Sequence, residues 1–190
     1  MNIIDNFLEE VNFKNLQSHI MSVEFPWYWS PDVSVHPETL KFIKDPLAKE
    51  TSGLNHECYN TAYNEKSTSY EKMFPLIKKI FEINGPTTKI LRIRMSLKYP
   101  KKGFTKDNYN IPHTDYNYPH KSLIYYINES DGDTFVFNEY GYNNIFNTFT
   151  VKQRVSPKPN TALILDGAQY HTSSNPQEHD CRVIINVNYI

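Results

Sequence analysis

The chain has 190 residues, 39% of them hydrophobic and 22% charged, which is the size and make-up of one globular domain with a single substantial core. Twenty basic side chains against twenty-one acidic ones leave a formal charge of -1, so no global field draws the protein to nucleic acid or to an anionic membrane. Cys58 and Cys181 are the two cysteines, too few and too far apart for a disulfide framework or a cysteine-built zinc site, and each is expected to be a small buried hydrophobe.

No segment approaches the roughly 20 apolar residues that a bilayer span needs, and "MNIIDNFLEEVNF" has acidic residues but no basic one before Lys14. Neither a signal peptide nor a membrane partner is therefore expected, and the cytoplasm is the expected location.

Taken in order, Ile3 and Ile4 predict a short strand. Phe13, Leu16 and Ile20 then follow helical spacing, which predicts a helix over 12–22 with Asn12 as its N-cap. Pro26 breaks "FPWYWSP", whose aromatics Trp27, Tyr28 and Trp29 are expected to cap the core. Residues 31–68 are polar and irregular and read as surface segments. A second helix starts at Ser69 and runs through Tyr70, Phe74, Ile77 and Phe81, with Pro75 forcing a late start or a kink and Gly85-Pro86 ending it.

After residue 88 the texture changes to period-two alternation. "TKILRIRMSLKY" places Ile90, Arg92, Arg94, Ser96 and Lys98 on one face and Leu91, Ile93, Met95, Leu97 and Tyr99 on the other, as a strand with one buried face does. "SLIYYIN", "DTFVFN", "FNTFTVKQRV", "TALILD", "QYHTSS" and "CRVIINVNYI" are further strands, separated by Gly, Asn, Asp and Pro turn signals. Helices first and antiparallel strands afterwards predict a mainly β fold with some α, a helix-supported jelly roll or barrel.

"NIPHTDYNYPHKS", residues 110–122, brings two histidines and an aspartate together. In a strand, side chains two apart share a face, so His113 and Asp115 can point at one ion. The tripeptide alone is weak, and the similar His36-x-Glu38 in a proline-broken loop reads as accidental. Specificity comes from His171, on a strand after "TALILDG", and from Arg182, a cation eleven residues further on. Two His and one carboxylate on strands of one barrel suit Fe(II), because three adjacent coordination positions stay open. His120, an odd number of residues from His113, and His179, in a loop, read as surface histidines.

With these residues in place, the chain resembles the Fe(II)/2-oxoglutarate-dependent oxygenases, in the branch similar to prolyl 4-hydroxylase and related virus-encoded proteins. The matching elements are "HTD", "SLIYYIN", "DGDTFVF", "VSPKPNTALILD" and "HTSSNPQEHDCRVIINVNY", in family order. The resemblance implies a double-stranded β-helix over 89–190 supported by 1–88, with iron held by His113, Asp115 and His171. It implies that Arg182 binds the distal carboxylate of 2-oxoglutarate, with Tyr126 (not Tyr125) beside it and Tyr99 as a second tyrosine. The implied reaction uses O2 to hydroxylate a C–H bond, with release of succinate and CO2, on a prolyl residue of a peptide or protein.

Asn160 stands where the family commonly has Gly after Pro-Lys, a change that the tolerance of Asn for left-handed backbone makes mild. Asn186 and Asn188 turn inward on the last strand, where prolyl hydroxylases often carry a bulky aromatic, and they make the expected substrate pocket more polar. A loop over 100–112 is read as a mobile lid. Two alternatives stay open: an oxygenase acting on a small molecule or nucleobase, and a non-catalytic jelly-roll binding module. "RVIINVNYI" has no second Arg, which lowers the nucleobase option.

Overall fold

The alternation after residue 88 folds into antiparallel sheet in the computed structural model, which describes residues 1–31, 43–142, 144 and 146–190. The His36-x-Glu38 motif lies outside the described residues. The larger sheet contains β1 (Asn2–Ile4), β2 (Tyr28–Ser30), β4 (Gly53–Asn60), β6 (Ile90–Lys98), β8 (Lys121–Tyr126), β11 (Thr161–Asp166) and β13 (Arg182–Tyr189). Its order is β1-β11-β8-β13-β6-β4-β2, with β5 (Glu65–Lys66) paired to β4. A second sheet has the order β10-β9-β12, from Val151–Val155, Thr134–Tyr140 and Gln169–Ser173. Two-residue strands β3 (Ala48–Lys49) and β7 (Tyr109–Asn110) pair in parallel.

Both faces of the larger sheet are covered. Helices α1 (Glu10–Ile20) and α2 (Phe74–Asn84) place Phe13, Leu16, Ile20, Leu76 and Ile80 against Ile93, Met95, Leu123, Tyr125, Val183, Ile185 and Val187. On the opposite face Ile124, Tyr126, Leu163, Leu165 and Ile184 meet Val136 and Val155 of the second sheet. Burying about one such side chain contributes roughly 1.5–3 kcal/mol, and β13, closed on both faces, is buried along its whole length. The result is a mainly β, jelly-roll-type architecture with helices on one side. Among the described residues no helix is long and apolar enough to cross a membrane.

The predicted helices form with shifted starts. α1 begins at Glu10, not Asn12, and no side chain caps it. At the second site, Tyr70–Met73 is a 3-10 turn and the α-helix starts at Phe74, with Pro75 in its first turn where a missing N–H costs nothing. Gly85 ends it at φ 94°.

The surface reading of residues 31–68 is corrected by β4, which lies inside the larger sheet between β6 and β2. Its burial is hidden in the sequence because polar residues do the packing: His56 bonds the Pro26 carbonyl at 2.9 Å and Ser67 Oγ at 2.8 Å. The aromatic cap is half right. Phe25 is buried and Trp27 packs on the core, whereas Tyr28 and Trp29 are 63% and 65% exposed, because among the described strands β2 stands at the edge of the sheet, beside β4.

Asn160 does adopt left-handed backbone, at φ 58°, and its amide has a task that glycine could not perform. Oδ1 accepts from the Leu8 N–H at 2.9 Å and from the Tyr125 hydroxyl at 2.7 Å, and Nδ2 donates to the Leu8 carbonyl at 2.9 Å. The turn thus clamps the N-terminal segment onto the sheet.

Candidate metal centre and anion pocket

The "HTD" segment runs from β7 across the end of β12. His113 and His171 face each other as an isolated antiparallel bridge, each backbone N–H bonded to the other's carbonyl at 3.1 Å. Their rings sit 5.1 Å apart. His113 Nδ1 lies 2.9 Å from the Ile111 carbonyl and His171 Nδ1 3.0 Å from the Gln169 carbonyl. A carbonyl only accepts, so Nδ1 carries the proton in each ring and the Nε2 lone pairs are left for a ligand. Nε2 of His113 is 4.0 Å from Asp115 Oδ1 and Nε2 of His171 is 3.7 Å from Oδ2. The three donor groups lie within 4.8 Å of one another.

Asp115 is held by four donors. Arg92 Nη2 reaches Oδ1 at 3.0 Å, and Oδ2 accepts from Ser122 Oγ at 2.6 Å, Asn188 Nδ2 at 2.8 Å and Asn186 Nδ2 at 3.3 Å. Burial pushes the carboxyl upward, but the charge of Arg92, the electrostatic pull of the two neighbouring imidazoles and the Ser122 bond outweigh it and hold Asp115 well below its ordinary value. Burial, reinforced by His171, takes His113 down to about 4. A carboxylate and protein-oriented imidazoles with free Nε2 atoms are a donor set that fits a divalent ion such as Fe(II).

A cavity of about 120 Å³ opens beside these groups. Arg182, 2% exposed, lines it from the start of β13; its Nε donates to the Gly132 carbonyl at 2.7 Å and its Nη2 to Thr134 Oγ1 at 2.8 Å. No carboxylate forms an ion pair with it among the described residues. The Tyr126 hydroxyl donates to the same Thr134 oxygen at 2.8 Å, and the guanidinium lies 5.9 Å from the Tyr126 ring centre. Burial pushes the Tyr126 hydroxyl up to about 12, so it stays a neutral donor. Gly132 is required by close approach: a Cβ there would stand 3.0 Å from Arg182 Cδ and from two backbone atoms.

The structure thus brings His113, Asp115, His171, Arg182 and Asn186 to one cavity, with Tyr126 behind Thr134. Asn188 is fully buried and spends its amide on Asp115, Ser122 and Arg92, so it is turned to the carboxylate and is not among the residues that line the cavity. Tyr99 points away: its hydroxyl bonds Ser52 Oγ at 3.0 Å and Lys101 Nζ at 3.3 Å, because alternation gives the inward position to Lys98.

His120 is corrected from surface to interior. It is 6% exposed, with Nδ1 donating to the Tyr118 carbonyl at 2.8 Å, and it fits because Gly167 has no side chain to fill the space its ring occupies. His179 stays partly exposed, paired with Asp131 at 3.0 Å. Cys58 is buried as expected, whereas Cys181 is intermediate.

The lid reading fails for the second half of 100–112. Asn110 is fully buried and donates to the Ser173 carbonyl at 2.8 Å while accepting from Thr51 and Lys98. Tyr109 is fixed by its bond to Asp45 at 2.7 Å.

Several site residues escaped the sequence reading, among them Ser122, which donates to Asp115. Arg92, Arg94 and Lys98 look like the solvent face of an amphipathic strand but line the cavity, and Thr134 shares its oxygen between Arg182 and Tyr126. The available signal was three cations on one face of the strand that precedes His-x-Asp.

This arrangement of sheets is shared with solved 2-oxoglutarate–Fe(II) oxygenases, prolyl hydroxylases among them. A prolyl hydroxylase from Trichoplax adhaerens, in complex with a hypoxia inducible factor oxygen degradation domain peptide fragment, superposes with a TM-score of 0.63 at 13% identity, covering 100% of this chain and 82% of that one. The non-heme alpha ketoglutarate dependent epimerase SnoN from nogalamycin biosynthesis gives 0.62 at 8% identity, covering 99% and 77%. The viral collagen prolyl hydroxylase of Paramecium Bursaria Chlorella virus-1 gives 0.54 at 11%, covering 99% and 94%. At these identities the likeness defines the fold. No family model matches the chain, and no curated protein matches it.

Proposed function

We propose that this protein is an Fe(II)- and 2-oxoglutarate-dependent oxygenase that hydroxylates a C–H bond of a polar, peptide-like substrate. The observation that carries the reading is a buried Arg182, in ion-pair contact with no carboxylate among the described residues, in the same cavity as the His113, Asp115 and His171 triad. A buried guanidinium calls for an anion, and a diacid that reaches both Arg182 and the triad meets that need. Residues 1–190 then form one oxygenase domain working in the cytoplasm, with 89–190 as a double-stranded β-helix and 1–88 supporting it.

Held by His113, Asp115 and His171, a bound Fe(II) would supply the oxidising chemistry with 2-oxoglutarate and O2, one oxygen atom ending in the new C–OH and the other in succinate, with CO2 released. The chain itself positions and excludes. His113 and His171 offer Nε2 because their Nδ1 protons are committed to backbone carbonyls. Arg92, Ser122, Asn186 and Asn188 hold the Asp115 carboxylate in one orientation. Arg182 and the Thr134 hydroxyl take the distal carboxylate, and Tyr126 fixes the Thr134 rotor. The apolar layer of Ile124 and Ile184 keeps water from this end.

The resemblance to prolyl 4-hydroxylases makes a prolyl residue of a peptide or protein the leading substrate. A small polar molecule is the second reading, favoured by the lining of Arg94, Ser96 and Asn186.

Succinate formation under air, dependent on both Fe(II) and 2-oxoglutarate, tests the activity. Arg182→Ala is expected to raise the 2-oxoglutarate dissociation constant about ten- to a hundredfold, the value of one charge-assisted contact of roughly 1.5–3 kcal/mol, with metal binding kept. Equal 2-oxoglutarate affinity in variant and parent would contradict the assignment.

A further inference from the structure

Apart from the triad, the wall of the cavity carries a cation and a neighbouring carbonyl oxygen to which the described residues offer no hydrogen bond. Arg94 of β6 and Asn186 of β13 are register partners and both line the cavity, so their side chains project from the same face about 5 Å apart. Among the described residues no hydrogen bond or ion pair reaches the Arg94 guanidinium; Glu57, its register partner on β4, and Asp115 act on its charge only from a distance, whereas its neighbour Arg92 is committed to Asp115 and Asn188.

Asn186 is 9% exposed, and its Nδ2 donates to Asp115. Because an ionised carboxylate only accepts, that bond fixes which way the amide faces. Oδ1 is thereby turned elsewhere, buried and without a donor. A buried carbonyl oxygen left unpaired is unfavourable, so its persistence beside a cation that no described residue contacts directly marks a place for a ligand.

The register says where that ligand lies. Arg182 pairs with Lys98, four residues and about 13 Å further along β6 than Arg94, so the two guanidiniums project from different ends of the cavity. The row of Arg94 and Asn186 adjoins the row of Arg92 and Asn188, the pair that holds Asp115. A group recognised there lies next to the metal triad while Arg182 is occupied by the cosubstrate.

We propose that Arg94 and Asn186 recognise a free α-amino or α-imino acid as the substrate, Arg94 pairing with its carboxylate and Asn186 Oδ1 accepting from its nitrogen. The inference rests on the oxygenase reading and, within it, takes the small-molecule reading over the prolyl residue of a peptide, because a residue inside a peptide has no α-carboxylate to offer. Arg94 is then a specificity residue: it touches substrate and leaves cosubstrate binding alone.

The test compares two mixtures given to the Fe(II)-loaded protein with 2-oxoglutarate under air: the twenty free L-amino acids, and the same twenty as α-carboxamides. Mass spectrometry reads the gain of one oxygen, and calorimetry on the Mn(II)-loaded protein reads 2-oxoglutarate affinity. The free acids are expected to yield a hydroxylated product and the carboxamides about tenfold less or lower still. Arg94→Gln is expected to lower kcat/KM for the acid that reacts by about tenfold or more, with Arg94→Lys recovering part of the loss. Unchanged 2-oxoglutarate affinity in both variants shows that they are folded and that the effect belongs to the substrate.

Equal product from the two mixtures would overturn the inference. So would modification of neither by a protein that binds 2-oxoglutarate and forms succinate, or an Arg94→Gln defect confined to 2-oxoglutarate. Failure of the parent to bind 2-oxoglutarate at all would overturn the oxygenase reading and this inference with it.

Discussion

Asp115 shows how a ligand residue can also be a structural one. From the sequence, Asp115→Ala is expected to remove metal binding and leave the fold intact, since a barrel core does not depend on one carboxylate. In the structure the carboxylate is the common acceptor of Arg92, Ser122, Asn186 and Asn188, and deleting it strands a partly buried cation and two amides. Asp115→Ala is therefore expected to destabilise the metal-free protein by about 3 kcal/mol, read as a lowered urea midpoint with unchanged slope. Asp115→Asn, which keeps the shape, is the milder variant.

Lys98 provides a prediction in pH. It is 1% exposed, with Nζ donating to the Thr51 carbonyl at 3.0 Å and to Thr51 Oγ1 at 2.8 Å. Burial lowers it from an ordinary 10.5 to about 7, with the charge of Glu50 opposing and those of Arg182, Lys101 and Arg94 adding to the effect. Between those values the unfolded chain binds a proton that the folded chain lacks. Stability therefore rises with pH across this window, by up to about 1.4 kcal/mol per unit. The contribution is complete above the unfolded value and lost as pH falls through 7. Chemical denaturation of parent and Lys98→Met at pH 7, 8 and 9 is expected to show the parent gaining on the variant at each step; parallel curves would contradict it.

The triad was legible because strand alternation is local information: His113 and Asp115 share a face in any register. The inward cations of β6 were not, because a polar face of a strand reads the same whether water or a charged cavity lies beyond it.

At the scale of elements, the hairpins and helices followed from local chemistry and the surprises came from long-range partners. β4 was illegible since it buries polar Asn55 on one face and His56 on the other, and its pairing with β6 and β2 is what makes it a strand. The second half of 100–112 reads as a loop because its order comes from Thr51, Asp45 and Ser173, all distant in sequence.

Asn160 is the case where local reasoning worked and then fell short. Backbone tolerance explains why Asn is allowed there, but only the fold shows its amide joining Leu8 to Tyr125. Asn160→Gly keeps the left-handed turn and removes these bonds, so a loss of about 1–3 kcal/mol is expected, with hydrogen exchange at the Leu8 amide accelerated. An unchanged Leu8 exchange rate would show that the clamp is dispensable.

At the scale of the molecule, two sheets enclose a polar cavity while helices seal the outer face of the larger one, so the core that stabilises the fold and the cavity that serves function share strands β6, β8 and β13. Alternation divides the labour: Ile93, Met95, Val183, Ile185 and Val187 pack against the helices, and Arg92, Arg94, Lys98, Arg182 and Asn186 face inward. The charges collected there are cationic on one wall and triad on the other, the complement of an anionic cosubstrate bridging the two. The near-zero net charge of the chain conceals this separation, which composition cannot report.

The most direct measurement is a Mn(II) titration followed by electron paramagnetic resonance, on the parent, His171→Ala and Arg182→Ala, each with and without 2-oxoglutarate. The expected result is one ion per chain in the parent, tightened by 2-oxoglutarate; loss of that ion in His171→Ala; and retention of the ion in Arg182→Ala with the tightening abolished. A His171→Ala protein that binds one ion as the parent does, or an Arg182→Ala protein that responds to 2-oxoglutarate as the parent does, would contradict the account.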